Sequence, residues 1–301
     1  MSLEGVASVR VMPEVRRGLW GAAWHGYARN PVRVVAAAAA LLIVAASAFA
    51  PLLAPTRYDF ATIEESLQQP SSRHWLGTDA IGRDVLSRLL YGGRTSLEVA
   101  LAVVALAMLA GVPLGIAAGF AGGWIDYLVV RLIEVSTALP ALLLAMLLIS
   151  ILGSGVGNVI LALAVVAWIE PCRLMRAQAL ALRNRDFVEA AWALGASAGH
   201  LVWRHILPNT LGPLIVVITL TIPRMIFAEA SLSFLGLGIN DPLPSLGKMV
   251  SESVSYMQVY PVLGIAPTLM IALMVLTLTL VGDGLRDAMD PARGQRVGGL
   301  R

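Results

Sequence analysis

Residues able to do covalent chemistry are few in this sequence. Cys172 is the one cysteine and Lys248 the one lysine. A nucleotide-binding P-loop needs Ser or Thr after its lysine, but Met249 stands there. The histidines form no His-Glu-x-x-His pattern of a zinc protease, so we expect neither a P-loop nor a metal site on this chain. The four histidines are His25, His74, His200 and His205.

A serine between two glycines, Ser154, is the pattern closest to a catalytic nucleophile. Such a serine needs a neighbouring base, and no histidine falls well inside a predicted membrane span. We therefore expect Gly153, Ser154 and Gly155 to form a turn between two helices. No residue of the chain is predicted to be catalytic.

The amino-acid composition indicates the class of protein to which this chain belongs. Of 301 residues, 57% are hydrophobic and 14% are charged, and the mean hydropathy is +0.77. An ordinary soluble domain carries about 25% charged residues, so the sequence indicates an integral membrane protein whose first partner is the lipid bilayer. The net charge of +3 comes from arginines at the ends of apolar runs, which is a topology pattern and does not indicate nucleic-acid binding.

Six apolar runs are long enough to cross a bilayer, and each must be helical to satisfy its own backbone hydrogen bonds. The predicted fold is therefore all-α, with six transmembrane helices. We interpret the first run, 33–54, as an uncleaved helix although Ala48-Phe49-Ala50 resembles a signal-peptidase site. The other five runs lie in a core of residues 95–285, near 95–119, 127–152, 157–179, 210–238 and 259–283.

Arginine placement orients these helices. The N-terminal segment 1–32, the stretch 173–204 and the tail 286–301 are rich in arginine, which predicts that both termini are cytoplasmic. The loop 55–94 must then lie outside the cytoplasm. It disagrees with the rule because it carries five arginines, and we follow the majority of the segments.

Ionisable residues inside predicted spans are costly and are therefore functional candidates. Glu229 lies deepest, and with Ser231 and Ser233 it is predicted to line a translocation pathway. Arg131 and Glu134 are three residues apart and are expected to pair on one helix face. The remaining candidates are Glu170, Arg173 and Asp283. Glycines at the spacing required for close helix packing are Gly111, Gly115 and Gly119.

One polar stretch, 180–208, reads as helix–turn–helix. Asp186 is a plausible N-cap, with Glu189 placed to complete a capping box. Gly195 fits a left-handed helix stop, and Ser197 can cap a second helix that ends before the next span. Taken alone, this stretch is equally compatible with an amphipathic loop at the membrane interface.

The same stretch resembles the EAA loop of type I ABC importer permeases. The resemblance rests on Glu189-Ala190-Ala191, then Gly195, then Leu207-Pro208 at the matching distance. The family usually has Ile two residues before the Leu, where this chain has His205 with Ile206 beside it. The resemblance implies that this loop, with Asp186, couples the chain to an ATPase.

Further segments are similar to the C-subunit type of the dipeptide, oligopeptide and nickel branch. One is the outer-loop motif His74, Trp75, Gly77, Asp79, Gly82, Arg83 and Asp84. Others are residues 230–238 and 282–287, followed by Asp290-Pro291. The match covers about residues 30 to 292.

The resemblance implies a six-helix permease in the cell membrane of a prokaryote. A homologous second permease would pair with it, two ATPase subunits would bind ATP and magnesium, and an extracytoplasmic binding protein would deliver the substrate. The EAA helix would occupy an ATPase cleft, and the 55–94 loop would receive the binding protein or cap the pathway. No cofactor is expected on this chain. Relatives of the branch carry peptides, nickel chelates, haem and small glycans, and the sequence does not choose among them.

Two other classes remain as alternatives. A stand-alone secondary transporter or channel should show an inverted repeat, and no strong repeat is visible in the sequence. A membrane-embedded enzyme is opposed by the missing catalytic constellation.

Overall fold

A computed structural model describes residues 30–289, and these residues are helical wherever they form regular structure. The helices are α1 (Pro31–Ala48), α2 (Ala50–Leu53), α3 (Val85–Ala121), α4 (Gly123–Thr137), α5 (Ala141–Leu152) and α6 (Val156–Ala167). They continue with α7 (Ile169–Arg183), α8 (Asp186–Ala193), α9 (Ala198–Leu201), α10 (Leu207–Phe234), α11 (Leu246–Ser253) and α12 (Val262–Met289). Within residues 30–289, five apolar spans are long enough to cross a membrane, and the bent pair α4–α5 makes six if it counts as one span. The all-helical prediction is confirmed.

The first predicted span, 33–54, corresponds to α1 and the short α2. Asn30 caps α1 by accepting a hydrogen bond from the Val32 amide at 3.0 Å, and Pro31 occupies the first helical turn, where its missing N–H costs nothing. The helix breaks at Phe49 and packs against α12 and α3. The arginines that oriented the N-terminal segment and the last residues of the tail lie outside the described residues.

Helix α3 begins ten residues before its predicted start, which corrects the boundary of the 55–94 loop. Asp84 caps it by accepting from the Ser87 amide at 2.7 Å, and the following 37 residues form one unbroken helix. Residues 85–94, assigned to the loop by the sequence analysis, are therefore the first part of the span. At about 1.5 Å per residue, α3 extends for about 55 Å and joins the 55–84 loop to the opposite end of the bundle.

Helices α3 and α7 pack closely along the three glycines of α3. A Cβ atom would lie 2.5 Å from the Trp168 carbonyl oxygen at Gly111 and 2.4 Å from that of Cys172 at Gly115. At Gly119 it would lie 2.3 Å from the Arg176 carbonyl oxygen. The predicted close approach is confirmed, and we call this contact the glycine seam.

The span predicted over 127–152 is broken, which corrects the expectation of a single helix. Helices α4 and α5 meet at an angle of 84°. Pro140 stands at the break, where it has no N–H for a helical hydrogen bond and disfavours helical geometry in the residue before it. Helix α5, with 12 residues, extends for about 18 Å and is too short to span a bilayer alone.

The remaining spans differ from the prediction mainly at their ends. Helices α6 and α7 together cover Val156–Arg183, α10 ends at Phe234, and α12 begins at Val262. Helix α11 was not predicted, because its sequence is short and polar. The Gly-Ser-Gly turn between α5 and α6 is confirmed, with φ of +85° at Gly153 and +139° at Gly155.

We predict that Gly115→Ala destabilises the protein by about 1–3 kcal/mol, because the new Cβ overpacks the glycine seam. The measurement is the thermal unfolding midpoint of the purified protein in detergent. Gly157→Ala is the control, since a Cβ there meets no atom of the described residues within 4 Å. An equal midpoint for both variants would show that the seam is not tight.

Candidate functional site

The segment 184–208 forms a projecting helical hairpin at one end of the bundle. Its first helix, α8, begins at Asp186, and its N-cap is Arg185, whose side chain makes no capping bond. The predicted capping box is therefore wrong: Glu189 donates its amide to the Arg185 carbonyl oxygen at 3.0 Å. Asp186 and Glu189 instead lie exposed in the first turn, where a carboxylate interacts favourably with the helix dipole.

The helix stop at Gly195 is confirmed. Gly195 has φ of +86°, and its amide donates to the Trp192 carbonyl oxygen at 2.9 Å. The Ala196 amide donates to Ala191 at 3.1 Å, which completes a Schellman motif. Ser197 then caps α9, as predicted, by accepting from the His200 amide at 3.3 Å.

The second helix of the hairpin does not end before the next span, which corrects the prediction. Helices α9 and α10 are joined by a π-helical turn, Val202–Ile206, and the helix is continuous from Ala198 to Phe234. Leu207 and Pro208 lie at the start of α10. Pro208 has no N–H to donate one turn back, and the Asn209 side chain donates to the His205 carbonyl oxygen at 2.6 Å.

The hairpin presents apolar side chains on its outer surface. Leu194 is 89% exposed, and Phe187, Trp192 and Trp203 are also exposed. Val188 is buried and anchors α8 to the bundle. Apolar groups clustered on a short projecting helix are typical of a surface that binds another protein or the membrane interface. Ala190 lies on the exposed part of the same helix, and Ala191 is partly buried.

The hairpin and the 55–84 loop lie at opposite ends of α3. The Phe120 ring, at the end of α3, contacts Trp192 of α8 with ring centroids 6.0 Å apart. Arg183 donates to the Phe120 carbonyl oxygen at 3.1 Å. Asp84, in contrast, caps the other end of α3. The two predicted functional segments are therefore connected by one helix.

The 55–84 loop folds inward onto the bundle. His74 is buried, and its Nδ1 lies 2.9 Å from Oδ1 of Asp84. Gly77 and Gly82 have φ of +78° and +80°, and a Cβ at Gly82 would lie 1.9 Å from the Thr62 carbonyl oxygen. Trp75 is the exception, because it is exposed.

An ionic cluster holds this loop against α3 and α11. Asp79 accepts from Nε of Arg83 and from Nη1 of Arg88, both at 2.6 Å. Arg88 also donates to Glu252 at 2.8 Å and is almost completely buried. Burial opposes the charge on Arg83, but its hydrogen bond and ion pair with Asp79 outweigh burial and raise its pKa.

The cluster extends to Asp241, in the segment before α11. Lys248 lies 2.7 Å from an Asp241 oxygen, and this hydrogen bond lowers the pKa of Asp241. Asp79, Arg83, Arg88, Asp241 and Glu252 line one side of a cavity of about 670 Å³. Most side chains of the sequence motif therefore hold the loop in place. Trp75 and the rim of this cavity remain exposed.

Glu229 is buried inside the subunit, a position that differs from the predicted pathway lining. Its carboxylate accepts three hydrogen bonds, from Ser96 of α3 at 2.6 Å, Ser233 at 2.7 Å and Ser245 at 2.6 Å. These bonds join α3, α10 and the N-cap of α11. Ser233 is buried with it, and Ser231 is partly exposed, so a pathway role for Ser231 stays a prediction.

Some of the other charged residues of the spans form ion pairs. Arg131 and Glu134 pair on one face of α4, as predicted. Arg224 of α10 pairs with Glu170 of α7. Sequence inspection could not identify this second pair, because its members are 54 residues apart on different helices.

Comparison with known proteins identifies the family. Residues 111–295 match the family described as binding-protein-dependent transport system inner membrane component. Residues 18–71 match the N-terminal TM domain of oligopeptide transport permease C. The chain belongs to the first of these families, and the resemblance found in its sequence is confirmed.

Curated relatives are similar over nearly their whole length. The dipeptide transport system permease protein DppC of Alkalihalophilus pseudofirmus is 39% identical, with 90% of each chain covered. The glutathione transport system permease protein GsiD of Pectobacterium atrosepticum is 38% identical, with 95% of this chain and 96% of the relative covered. The oligopeptide transport system permease protein OppC of Bacillus subtilis is also 38% identical, with 91% and 90% covered.

A solved structure supports the fold. The methionine ABC transporter MetNI, in an inward-facing conformation, matches with a TM-score of 0.55 at 20% identity. The match covers 67% of this chain and 96% of that chain. The fold is therefore that of an ABC importer permease.

We predict that Arg88→Gln costs about 1–3 kcal/mol of stability, because Asp79 and Glu252 each lose a hydrogen bond that the buried Arg88 donates. The thermal unfolding midpoint in detergent measures the loss. Arg57→Gln is the control, because the Arg57–Asp59 pair is exposed and its loss should hardly move the midpoint. A midpoint for Arg88→Gln equal to the control's would contradict a structural role for the cluster.

Proposed function

We propose that this chain is one of two homologous permease subunits that form the pathway of a binding-protein-dependent importer. The chain itself has no catalytic role. Two ATPase subunits hydrolyse ATP with magnesium, and their closure moves the permeases between inward- and outward-facing states. A binding protein delivers substrate to the opposite side of the membrane. The family match supports the class of transporter.

The observation that carries the coupling mechanism is the geometry of α8. It is a short helix that projects from the bundle, ends sharply at Gly195 and exposes apolar side chains, with Leu194 89% exposed. Because Met249 follows Lys248 and this chain therefore has no P-loop, energy from ATP has to enter through a partner subunit. We propose that α8, with Asp186, Glu189, Ala190, Ala191 and the following Leu207-Pro208, occupies a cleft of an ATPase.

We propose that the hairpin end is cytoplasmic and that the 55–84 loop faces outward, in the cell membrane of a prokaryote. The opposite placement of these segments on α3 supports this orientation. The exposed Trp75 and the cavity rim then face the binding protein. A crosslink from Trp75→Cys to an ATPase would contradict it.

We propose peptides as the substrate class. The relatives named above are described as dipeptide, oligopeptide and glutathione transport permeases, and all three substrates are peptides. A secondary transporter is not favoured, because the chain matches an importer family over residues 111–295.

Replacing Gly195 tests the coupling role. Gly195→Arg should leave the subunit inserted but abolish ATP-dependent uptake, because a bulky side chain at the docking surface excludes the partner. Gly195→Ala adds strain of about 1–2 kcal/mol at a positive φ and should reduce uptake. Glu189→Ala removes a first-turn carboxylate and should weaken uptake modestly. The measurement is peptide uptake by proteoliposomes that contain the assembled transporter.

Gly199→Ala is the matched control. A Cβ at either Gly195 or Gly199 meets no atom of the described residues within 4 Å, but only Gly195 has a positive φ. Gly199→Ala should transport normally. Normal uptake by Gly195→Arg, with ATPase bound, would show that the hairpin is only an interfacial loop.

A further inference from the structure

An ion pair lies exposed in the middle of the membrane-spanning part. Arg224 of α10 donates to Glu170 of α7, and their side chains are 55% and 47% exposed. Arg224 lies ten residues before the end of α10 at Phe234, which is about 15 Å along the helix. Glu170 is the fifteenth of the 28 residues in the candidate span Val156–Arg183, so the pair lies near the middle of a span long enough to cross the hydrocarbon core of about 30 Å.

Lipid is an unfavourable neighbour for this pair. A charged side chain at the centre of the bilayer costs about 2.5–3.5 kcal/mol on insertion scales, and such residues face protein or a water-filled cavity. The subunit itself does not cover Glu170 and Arg224, whereas it fully buries Glu229 and surrounds it with three serine hydroxyls. We therefore expect the exposed pair to face protein or water in the assembled transporter.

A further cation lies on the same face. Arg173 is exposed one turn beyond Glu170 on α7 and forms no ion pair with any residue from 30 to 289. The patch therefore has two guanidinium groups and one carboxylate. On α10, the partly exposed Ser231 lies two turns beyond Arg224, so a hydroxyl continues the same polar face.

Another exposed pair shows why position matters. Arg131 and Glu134 are exposed to a similar degree, at 56% and 50%. They lie beside Trp124 and Tyr127, which stack at 5.7 Å, and Arg131 lies 5.0 Å from the centre of the Tyr127 ring. Aromatic residues of this kind are typical of the membrane–water interface, where charge costs little. No such explanation applies to Glu170 and Arg224.

We propose that Glu170, Arg173 and Arg224 line the translocation pathway and transiently bind the charged ends of a peptide. The peptide carboxylate binds the guanidinium groups of Arg224 and Arg173, and its ammonium group binds Glu170. A zwitterionic peptide replaces the Glu170–Arg224 ion pair with two ion pairs, one from its ammonium group to Glu170 and one from its carboxylate to Arg224. Neither residue is then left without an oppositely charged partner. This inference rests on the proposed function and adds a substrate-contacting site within the membrane.

The first test asks whether Glu170 faces water. In a Cys172→Ala background, Glu170→Cys in the reconstituted complete transporter should react with a hydrophilic methanethiosulfonate reagent, and peptide should slow the reaction. Val165→Cys is the control, because Val165 is also 47% exposed but lies about 140° around the helix. Failure of Glu170→Cys to react in any nucleotide state would overturn the proposal in favour of a dry subunit contact or lipid.

The second test uses substrate selectivity. Arg224→Gln should lower uptake of a peptide with a free carboxylate about tenfold and uptake of its C-terminal amide less than twofold. Glu170→Gln should likewise lower uptake of the peptide with a free ammonium group more than uptake of its N-acetylated form. Each rate is normalised to the affinity of the binding protein for that peptide, which the variants do not change.

An equal loss on all three peptides, or no loss, would refute a substrate contact. If the single variants fail to assemble, the double variant Glu170→Arg with Arg224→Glu keeps the ion pair. It should retain uptake, with an altered preference between the C-terminal amide and the N-acetylated peptide. Absence of ATP-dependent uptake by the unmodified chain would instead contradict the proposed function, so the two failures are distinguishable.

Discussion

The glycine seam between α3 and α7 is the contact on which the rest of the structure depends. Its three glycines let the α3 backbone approach the carbonyl oxygens of α7, at distances that exclude a side chain. Helix α7 leads directly into α8, and α3 leads back to the 55–84 loop. The seam therefore determines where the projecting hairpin stands relative to the loop at the other end of the bundle. Arg176 of α7 reinforces it through a bidentate ion pair with Asp126 of α4.

Polar groups within the helical bundle find partners in two ways. Some are buried and hold elements of the fold together, whereas others are exposed and are available to a ligand. Glu229 and Arg88 are buried and hydrogen-bonded to other elements, so they fix α11 and the loop against α3, although Nε and Nη2 of Arg88 have no hydrogen-bond partner among the described residues. Glu170 and Arg224 have each other and remain open. Buried polar networks rigidify a fold, whereas an open pair at the same depth can exchange its partner for a ligand.

Local signals in the sequence predicted the local features of the fold. The left-handed stop at Gly195, the cap at Ser197 and the close packing at Gly115 each follow from one residue type and its spacing. The early start of α3 was missed because residues 85–94 are not apolar enough to resemble a span. The break at Pro140 was missed because proline in a membrane helix usually produces only a kink, and sequence alone does not give its angle.

Contacts between distant residues could not be predicted from one sequence. The hydrogen bond from Ser96 to Glu229 joins residues 133 apart, and the bond from Arg224 to Glu170 joins residues 54 apart. Inspection therefore singled out Glu229 as the pathway residue. The helix packing instead buries Glu229 and leaves Arg224 exposed, and this difference in burial is visible only in the three-dimensional structure.

Site-specific crosslinking from α8 tests the central claim, that the hairpin couples this permease to an ATPase. Leu194 is the most exposed apolar residue of the hairpin, and a photoreactive side chain there should crosslink in native membranes to an ATPase subunit, with a yield that changes when ATP binds. The same group at Trp75, at the other end of α3, should give no ATPase product. Crosslinking of the Leu194 position to lipid alone, with ATP present or absent, would contradict the account.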